Sequence, residues 1–192
     1  HLVKRQNKKW IDNPIKWQTN TFKKLIKNGI KTEFGKNHDF ENIKSYEQYK
    51  KKVPVRDYEE LRPYIEKVVN GEKDILWPGK PLYFAKTSGT TSGAKYIPIT
   101  KESIKTHIRS ARDALLNYFL KTKNFKPLNG KHMFLQGSPE LNKKRGIYHG
   151  RLSGISAHYV PKLFLRNRKP SWTNNCIEAV SYTHLTLPTI RT

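Results

Sequence analysis

Apolar residues recur at helical spacing in the N-terminal third of the chain and predict three helices there. The first spans Lys16 to Ile30 with Gly29 near its end, the second runs from Tyr46 to Lys52, and the third opens near Asp57. Their apolar positions include Trp17, Phe22, Leu25, Ile26, Tyr64, Val68 and Val69. Residues 33–36 between the first two helices predict a turn. We interpret all three helices as packing elements that face a core.

Two short apolar runs, residues 82–85 and 96–99, enclose a glycine-rich loop and predict a strand, a loop and a second strand. Pro98 in the second run is best tolerated on an edge strand. A longer helix follows, with Thr100 as the predicted N-cap and Glu102 in its first turn. Its apolar stripe consists of Ile104, Ile108, Ala111, Leu115 and Phe119. We expect this helix to pack on a sheet.

Further along, residues 132–137 predict a buried strand and residues 141–146 a polar loop. Arg109 and Arg112 on the long helix could reach a substrate carboxylate, but we interpret them as solvated surface residues. His132, His149 and His158 could each act as a base, and we interpret them as hydrogen-bonded structural residues.

The loop between the two apolar runs carries the clearest chemistry of the chain. Gly89 and Gly93 permit positive φ and close approach of a ligand, and successive N–H groups in such a turn form an anion site. Lys95 adds a mobile cation. Further hydroxyl donors come from Ser88, Thr90, Thr91 and Ser92. A Walker loop does not fit, because there Gly-Lys-Ser/Thr runs straight into a helix. The pattern therefore predicts a phosphate-binding loop.

Residues 84–98, which include this loop and its Lys-Tyr-Ile-Pro exit, resemble the nucleotide loop of the acyl-acid amido synthetases. This is the adenylate-forming family of the plant auxin- and jasmonate-conjugating enzymes. Residues 45–49, 53–61, 63–65 and 76–78 are similar to its bacterial branch. The resemblance runs from about Trp10 to Glu178. It implies an α/β fold that is the truncated N-terminal portion of an adenylate-forming large domain.

The resemblance also implies a reaction. Such an enzyme uses ATP and Mg²⁺ to activate a carboxylic acid as an acyl-adenylate, and then passes the acyl group to an amine or amino acid. Residues Ser88 to Gly93 and Lys95 would hold the phosphates and stabilise the charge that develops on the leaving oxygen. The substrate carboxylate is the nucleophile, so we assign no catalytic residue and no metal ligand.

Residues 150–159 match the family region that forms the acyl pocket, and this places Ser153, Gly154 and Ser156 among the substrate-binding residues. Close backbone packing at Gly154 explains its glycine equally well. The two explanations stay open on the sequence alone.

Two further family motifs, Tyr-Gly-Ser-Ser-Glu and Tyr-Arg-x-Gly-Asp, do not occur after Lys95. We therefore expect residues 1–179 to be a partial N-terminal adenylation domain, inactive by itself, with the metal ligands elsewhere. Residues 180–189 have the sequence that a transposon-end sequencing adapter would encode, so residues 180–192 are expected to be a non-native tail.

The net charge of +23 would by itself suggest a nucleic acid or an anionic membrane as partner. The lysines recur from Lys4 to Lys169 rather than in one block, which favours a solvated surface, and we expect small-molecule partners, with neither nucleic acid nor membrane. Two alternatives stay open. A basic nucleic-acid-binding module would bind DNA or RNA in a salt-sensitive manner without ATP, and a noncatalytic remnant would bind ATP only.

Cysteine and histidine content limits the remaining function classes. The single cysteine, Cys176, cannot form an internal disulfide and fits a reducing compartment, so we expect a cytoplasmic protein. The seven histidines are scattered and show no spacing typical of metal ligands. No apolar run approaches the roughly 18 residues of a membrane span.

Overall fold

A computed structural model describes residues 2–87, 95–133, 138–160 and 168–169. Within these ranges the α-helices are Leu2–Asp12 (α1), Pro14–Gly29 (α2), Glu33–Asn37 (α3), Tyr46–Lys52 (α4), Tyr58–Val69 (α5), Lys101–Thr122 (α6), Lys126–Asn129 (α7) and Leu152–Ala157 (α8). The strands are Tyr83–Lys86 (β1), Tyr96–Ile99 (β2), His132–Met133 (β3), Asn142–Lys144 (β4), Ile147–Gly150 (β5) and Arg168–Lys169 (β6). A 3₁₀ turn spans Phe40–Asn42.

Strand β1 is central to a four-stranded sheet in the order β2-β1-β5-β4. It pairs antiparallel with β2, placing Lys86 opposite Tyr96, and parallel with β5, placing Ala85 opposite Gly150. β4 is antiparallel to β5, whereas β3 and β6 form a separate parallel pair. The predicted α/β class is confirmed, and Pro98 lies on an edge strand as predicted.

The two faces of β1 pack against different helices, because successive side chains of a strand point to opposite sides. One cluster combines Tyr83, Ala85, Ile99, Ile104 and Ile155, and so joins α6 and α8 to the sheet. The other combines Phe84, Val68, Ile75 and Ile147, and so joins α5 to the opposite face. Phe84 is completely buried. The sheet is thus covered on both faces.

The predicted helices agree closely with the structure. The first begins two residues early, at Pro14, and ends at Gly29, and the second coincides with α4. The third begins at Tyr58, where the Asp57 carboxylate accepts the Glu60 N–H at 2.9 Å and the Glu60 carboxylate accepts the Asp57 N–H at 3.0 Å. This reciprocal cap fixes the first turn of α5.

The turn predicted at residues 33–36 is wrong, since α3 occupies this segment. Thr32 Oγ1 accepts the Gly35 N–H at 2.9 Å and donates to the Gly29 carbonyl at 2.7 Å. These bonds start a short helix that includes Gly35. A glycine is needed at this position because a Cβ would lie 2.0 Å from the Gly29 carbonyl oxygen. Close packing therefore requires the glycine that suggested a turn.

The long helix starts as predicted, with Thr100 and Ser103 forming a reciprocal cap. The predicted apolar stripe is only partly buried: Ile104 and Phe119 are inside, whereas Ala111 and Leu115 are exposed. Ile104 and Ile108, in the first two turns of this 22-residue helix, pack in the cluster that contains the strands β1 and β2. The periodicity was therefore right for a helix but overstated its contact with the sheet.

The polar loop predicted at residues 141–146 is also wrong, because β4 lies within it. Arg145 and Gly146 both have positive φ, 50° and 84°, and turn the chain from β4 into β5. All side chains of β4 are exposed, so it lacks the apolar alternation that predicts strands. Of the strand predicted at residues 132–137, only His132–Met133 lies within the described residues, and there it is β3.

Removing the α6 cap tests its contribution to stability. Thr100→Ala should lower the free energy of unfolding by about 1 kcal/mol, because the Ser103 N–H then loses its acceptor. Thr106→Ala is the matched control within the same helix, where the threonine hydroxyl only donates to the Glu102 carbonyl. Urea denaturation should show little loss for this control, since alanine favours helix interiors. Equal losses in both variants would contradict the capping role.

Candidate functional site

Six of the predicted phosphate-binding residues, Ser88, Gly89, Thr90, Thr91, Ser92 and Gly93, lie outside the described residues, and their role stays a prediction. The strands on either side of them are described. The pairing of β1 with β2 continues one residue pair beyond Lys86 and Tyr96. Thr87 N–H donates to the Lys95 carbonyl at 3.0 Å, and Lys95 N–H donates to Thr87 Oγ1 at 3.1 Å. We call Thr87 and Lys95 the loop neck. The two strands predicted on either side of the loop are confirmed.

Lys95 is held at the loop neck by an aromatic side chain from α5. Its ammonium nitrogen lies 5.1 Å from the centroid of the Tyr58 ring, within the range of a cation–π contact. The Tyr58 hydroxyl accepts the Tyr96 N–H at 2.8 Å. Among the residues that the structure describes, no carboxylate pairs with Lys95. Within the described residues, the Lys95 ammonium therefore has an aromatic neighbour and no carboxylate partner.

Tyr58 was not among the residues that sequence reasoning singled out. It stands far from Lys95 in the chain and belongs to an ordinary helix start, so no local pattern marks it. Only the packing of α5 beside β2 brings the two side chains together. Lys86, at the other end of the loop and opposite Tyr96, adds a second, exposed cation.

The loop neck and α8 lie at one edge of the sheet. β1 and β5 are parallel, so their carboxyl ends meet, and the loop follows β1 while α8 follows β5. Open α/β sheets bind ligands in crevices outside the carboxyl ends of their strands. The structure therefore brings the loop neck and the predicted acyl-pocket segment to the same edge.

Within α8, the residue with the clearest structural role is Gly154. It is buried, and a Cβ there would lie 2.0 Å from the Ser138 carbonyl oxygen, so close backbone packing accounts for the glycine. Ser153 is exposed and Ser156 is half-buried on the same short helix. Their assignment, and that of Gly154, to an acyl pocket stays a prediction.

A pair of tyrosine hydroxyls ties the chain after α8 to β1. The hydroxyl oxygens of Tyr83 and Tyr159 lie 2.9 Å apart. Burial, together with this hydrogen bond, raises the pKa of Tyr83 to about 12. The Tyr83 side chain is therefore a neutral hydroxyl at physiological pH, and its hydrogen bond with Tyr159 acts as a structural link.

His149 lies on β5 among aromatic rings, with centroid distances of 5.2 Å to Phe84 and 5.8 Å to Tyr96. Burial, with a smaller contribution from the charge of Lys144, lowers its pKa from the ordinary value of 6.5. The other two histidines contact backbone carbonyls: Nε2 of His132 lies 2.5 Å from the Pro127 oxygen, and Nε2 of His158 lies 2.7 Å from the Pro139 oxygen. These contacts agree with structural roles.

Two other classes of site were sought in the described ranges. No cluster of three or more His, Cys, Asp or Glu side chains that could hold a metal occurs there. None of the helices described is both long and apolar enough to cross a membrane. Arg109 is exposed, and exposed Arg112 pairs with the neighbouring Asp113 at 2.8 Å, as their interpretation as surface residues predicts.

Several cationic side chains line one cleft near the N-terminus. A cleft of about 460 Å³ lies between α1 and α2. It is lined by Arg5, Lys8, Lys9, Asp12, Asn13, Lys16, Trp17 and Asn20. Four cations therefore surround a single carboxylate and an exposed tryptophan ring.

The model of the GH3 family N-terminal domain matches residues 3–185, and the chain therefore belongs to the GH3 family. Among curated relatives, the jasmonoyl–L-amino acid synthetase GH3.5 of Oryza sativa subsp. japonica is 28% identical over 133 residues, which are 68% of this chain and 22% of that protein. The indole-3-acetic acid-amido synthetase GH3.15 of Arabidopsis thaliana is 41% identical over 64 residues, 32% of this chain and 11% of that protein.

Solved structures give the same fold. The GH3.15 acyl acid amido synthetase superposes with a TM-score of 0.66 at 23% identity, over 80% of this chain and 28% of that one. A structure of AtGH3.15 in complex with 2,4-DB superposes with a TM-score of 0.63. The described part of the chain thus has the fold of the corresponding part of these structures, which agrees with the predicted α/β class. The matched part of this chain spans 11% to 28% of the length of these relatives.

A substitution at Gly154 tests the packing of α8. Gly154→Ala should destabilise the protein by about 2 kcal/mol or more, because the new methyl group overlaps the Ser138 carbonyl and forces α8 to shift. Leu152→Ala, at an exposed position of the same helix, is the control and should cost less than about 1 kcal/mol. Urea denaturation compares the two. A stable Gly154→Ala protein would show that the glycine is not needed for packing.

Titration of His149 predicts a pH dependence. Because its pKa is lowered in the folded state, the unfolded chain binds the proton first as the pH falls. Stability should therefore be full above about pH 6.5 and fall as the pH drops through the folded-state pKa. Thermal unfolding between about pH 5.5 and about pH 7.5 should show a weaker pH dependence for His149→Gln than for the wild type. His107→Gln, which removes an exposed histidine of α6, is the control.

Proposed function

We propose that this chain is the N-terminal part of an ATP-dependent acyl acid amido synthetase, which joins a carboxylic acid to an amine or amino acid. The observation that carries the proposal is the loop neck at the carboxyl ends of β1 and β5, with the Lys95 ammonium beside it. The family membership and the printed activities of the relatives, which conjugate jasmonoyl and indole-3-acetic acid groups, support it.

In this proposal the neck holds the two ends of the loop at a fixed separation. The N–H and hydroxyl groups of Ser88 to Gly93 then bind phosphate oxygens, and Lys95 supplies a positive charge where the leaving pyrophosphate becomes more negative. ATP, bound with Mg²⁺, would supply the adenylyl group that activates the acid, with pyrophosphate as the leaving group. The acid lies toward α8, with Ser153, Gly154 and Ser156 near its chain.

Further features belong to the same proposal. Residues 45–49, 53–61, 63–65 and 76–78 favour the bacterial branch of the family. Residues 1–179 form part of the adenylation domain and are inactive alone, and residues 180–192 are a non-native tail. The single cysteine favours a cytoplasmic location. The partners are the small-molecule acid and the amine or amino acid.

The cleft between α1 and α2 favours a second candidate function, the binding of nucleic acid. Clustered cations beside an exposed aromatic ring are the pattern of proteins that bind phosphate backbones and stack on bases. The cleft contains a carboxylate, however, and all of its lining side chains are exposed. Binding of single-stranded DNA that persists without ATP and weakens steeply with salt would favour this function.

ATP–pyrophosphate exchange by the intact enzyme that we propose tests the main function. In the presence of a substrate acid, the variant with both Ser88→Ala and Lys95→Ala should exchange about 100-fold more slowly than the wild type, because preorganised donors to the phosphates are lost. Lys101→Ala, which removes an exposed cation at the start of α6, is the matched control and should exchange at the wild-type rate.

Two outcomes contradict the assignment at different levels. No exchange by the wild type with any acid tested would reject the synthetase function. Exchange by the wild type that is unchanged in the double variant would retain the function and reject the phosphate-binding role of the loop.

A further inference from the structure

Tyr58 touches both residues with which the chain leaves the phosphate loop. Its ring lies against the Lys95 ammonium and its hydroxyl accepts the Tyr96 N–H. We propose that Tyr58 is a positioning residue for nucleotide binding, which holds Lys95 at the loop neck through its ring and fixes the Lys95–Tyr96 backbone through its hydroxyl. This inference rests on the proposed function and adds to it a residue outside the loop.

The hydroxyl contact matters because Tyr96 lies on an edge strand. Among the strands that the structure describes, β2 pairs with β1 alone, so its outer side presents backbone groups without a described neighbouring strand. Tyr58 takes the Tyr96 N–H at 2.8 Å, whereas the Lys95 N–H and carbonyl bond to Thr87. The loop exit is therefore fastened from two directions, by β1 and by α5.

The ring contact matters because a free lysine side chain is flexible. Binding a phosphate restricts its rotamers and so costs conformational entropy. A contact that restricts the side chain beforehand lowers that cost, which is the general effect of preorganisation. Lys95 is half-buried, and the contact with the Tyr58 ring restricts the conformations of its side chain.

Tyr58 can serve as such a support because α5 is itself firmly placed. The reciprocal cap between Asp57 and Glu60 fixes the turn in which Tyr58 lies. Farther along the helix, Ile65 and Val68 are buried at 5% and 4% exposure, and Val68 packs in the cluster that contains Phe84 of β1. Helix and loop exit are thus held to the same sheet.

The test measures the KM for ATP and the kcat of pyrophosphate exchange by the intact enzyme. The variants are Tyr58→Phe, Tyr58→Leu, Lys95→Met, and Lys95→Met combined with each of the two Tyr58 changes. Tyr58→Phe keeps the ring and should raise the KM about twofold, whereas Tyr58→Leu loses both contacts and should raise it about fivefold or more. The difference in KM between Tyr58→Phe and Tyr58→Leu isolates the contribution of the ring. It should disappear in the Lys95→Met background, because no ammonium remains to be held.

Tyr64→Leu is the matched control on the same helix. Tyr64 packs against Phe34 at 5.3 Å between ring centroids, its hydroxyl accepts the Asn37 side-chain amide, and it borders the cluster that contains Phe84. This variant should lower the thermal midpoint while leaving the KM for ATP unchanged. Tyr58→Phe, which preserves nearly all the packing, keeps the hydroxyl part of the test valid even if Tyr58→Leu folds poorly.

Three results would overturn the inference. A Phe-to-Leu effect that is as large with Lys95→Met as with Lys95 would show that the ring does not act through the ammonium. A lower KM in Tyr58→Leu would show that Tyr58 withholds Lys95 from the ligand. A KM that follows the thermal midpoint across all variants, Tyr64→Leu included, would indicate a structural role only. In each case wild-type exchange would persist, whereas its absence would reject the proposed function as well.

Discussion

The pairing of β1 with two neighbours of opposite direction is the constraint on which the rest of the structure depends. Its antiparallel partner β2 returns the chain from the loop, and its parallel partner β5 carries α8 to the same edge. Both faces of β1 are buried, with Phe84 on one side and Tyr83 and Ala85 on the other. A strand held in this way cannot slip in register without exposing one apolar set, so the loop neck has a fixed place.

In the proposed function, this part of the molecule supports chemistry at the edge of the sheet. The charged and polar groups offered to a ligand stand at the sheet edge, where they follow the strands rather than interrupt them. Rigid elements position functional loops more accurately than loops position themselves. The contacts of Tyr58 extend the same principle to the loop exit, because they connect a capped helix to the residue that carries the charge.

The large positive charge acquires a more specific meaning in the folded chain. Several of its cations surround the cleft between α1 and α2, whereas Lys86 and Lys95 flank the loop. Some others are neutralised by short ion pairs on helix surfaces, such as Arg62 with Glu59 at 2.7 Å. Exposed pairs of this kind contribute little to stability, so most of the charge serves solubility or ligand attraction rather than the fold.

The sequence by itself determined those features that local physics controls. Helical periodicity located α2, α4 and α5, cap residues located the start of α6, and the proline at Pro98 indicated an edge strand. The glycine and hydroxyl pattern of the loop, with its Lys-Tyr-Ile-Pro exit, indicated the family to which the chain belongs.

Only the tertiary structure decided what depends on neighbours distant in the chain. The α3 segment is a helix because Thr32 caps it and Gly29 packs against it, and β4 is a strand because β5 pairs with it although its own side chains are all exposed. Gly154 is explained by the Ser138 backbone. Tyr58 meets Lys95 only because α5 packs on the sheet. Such contacts join residues with no fixed spacing in the sequence, so periodicity and local motifs do not predict them.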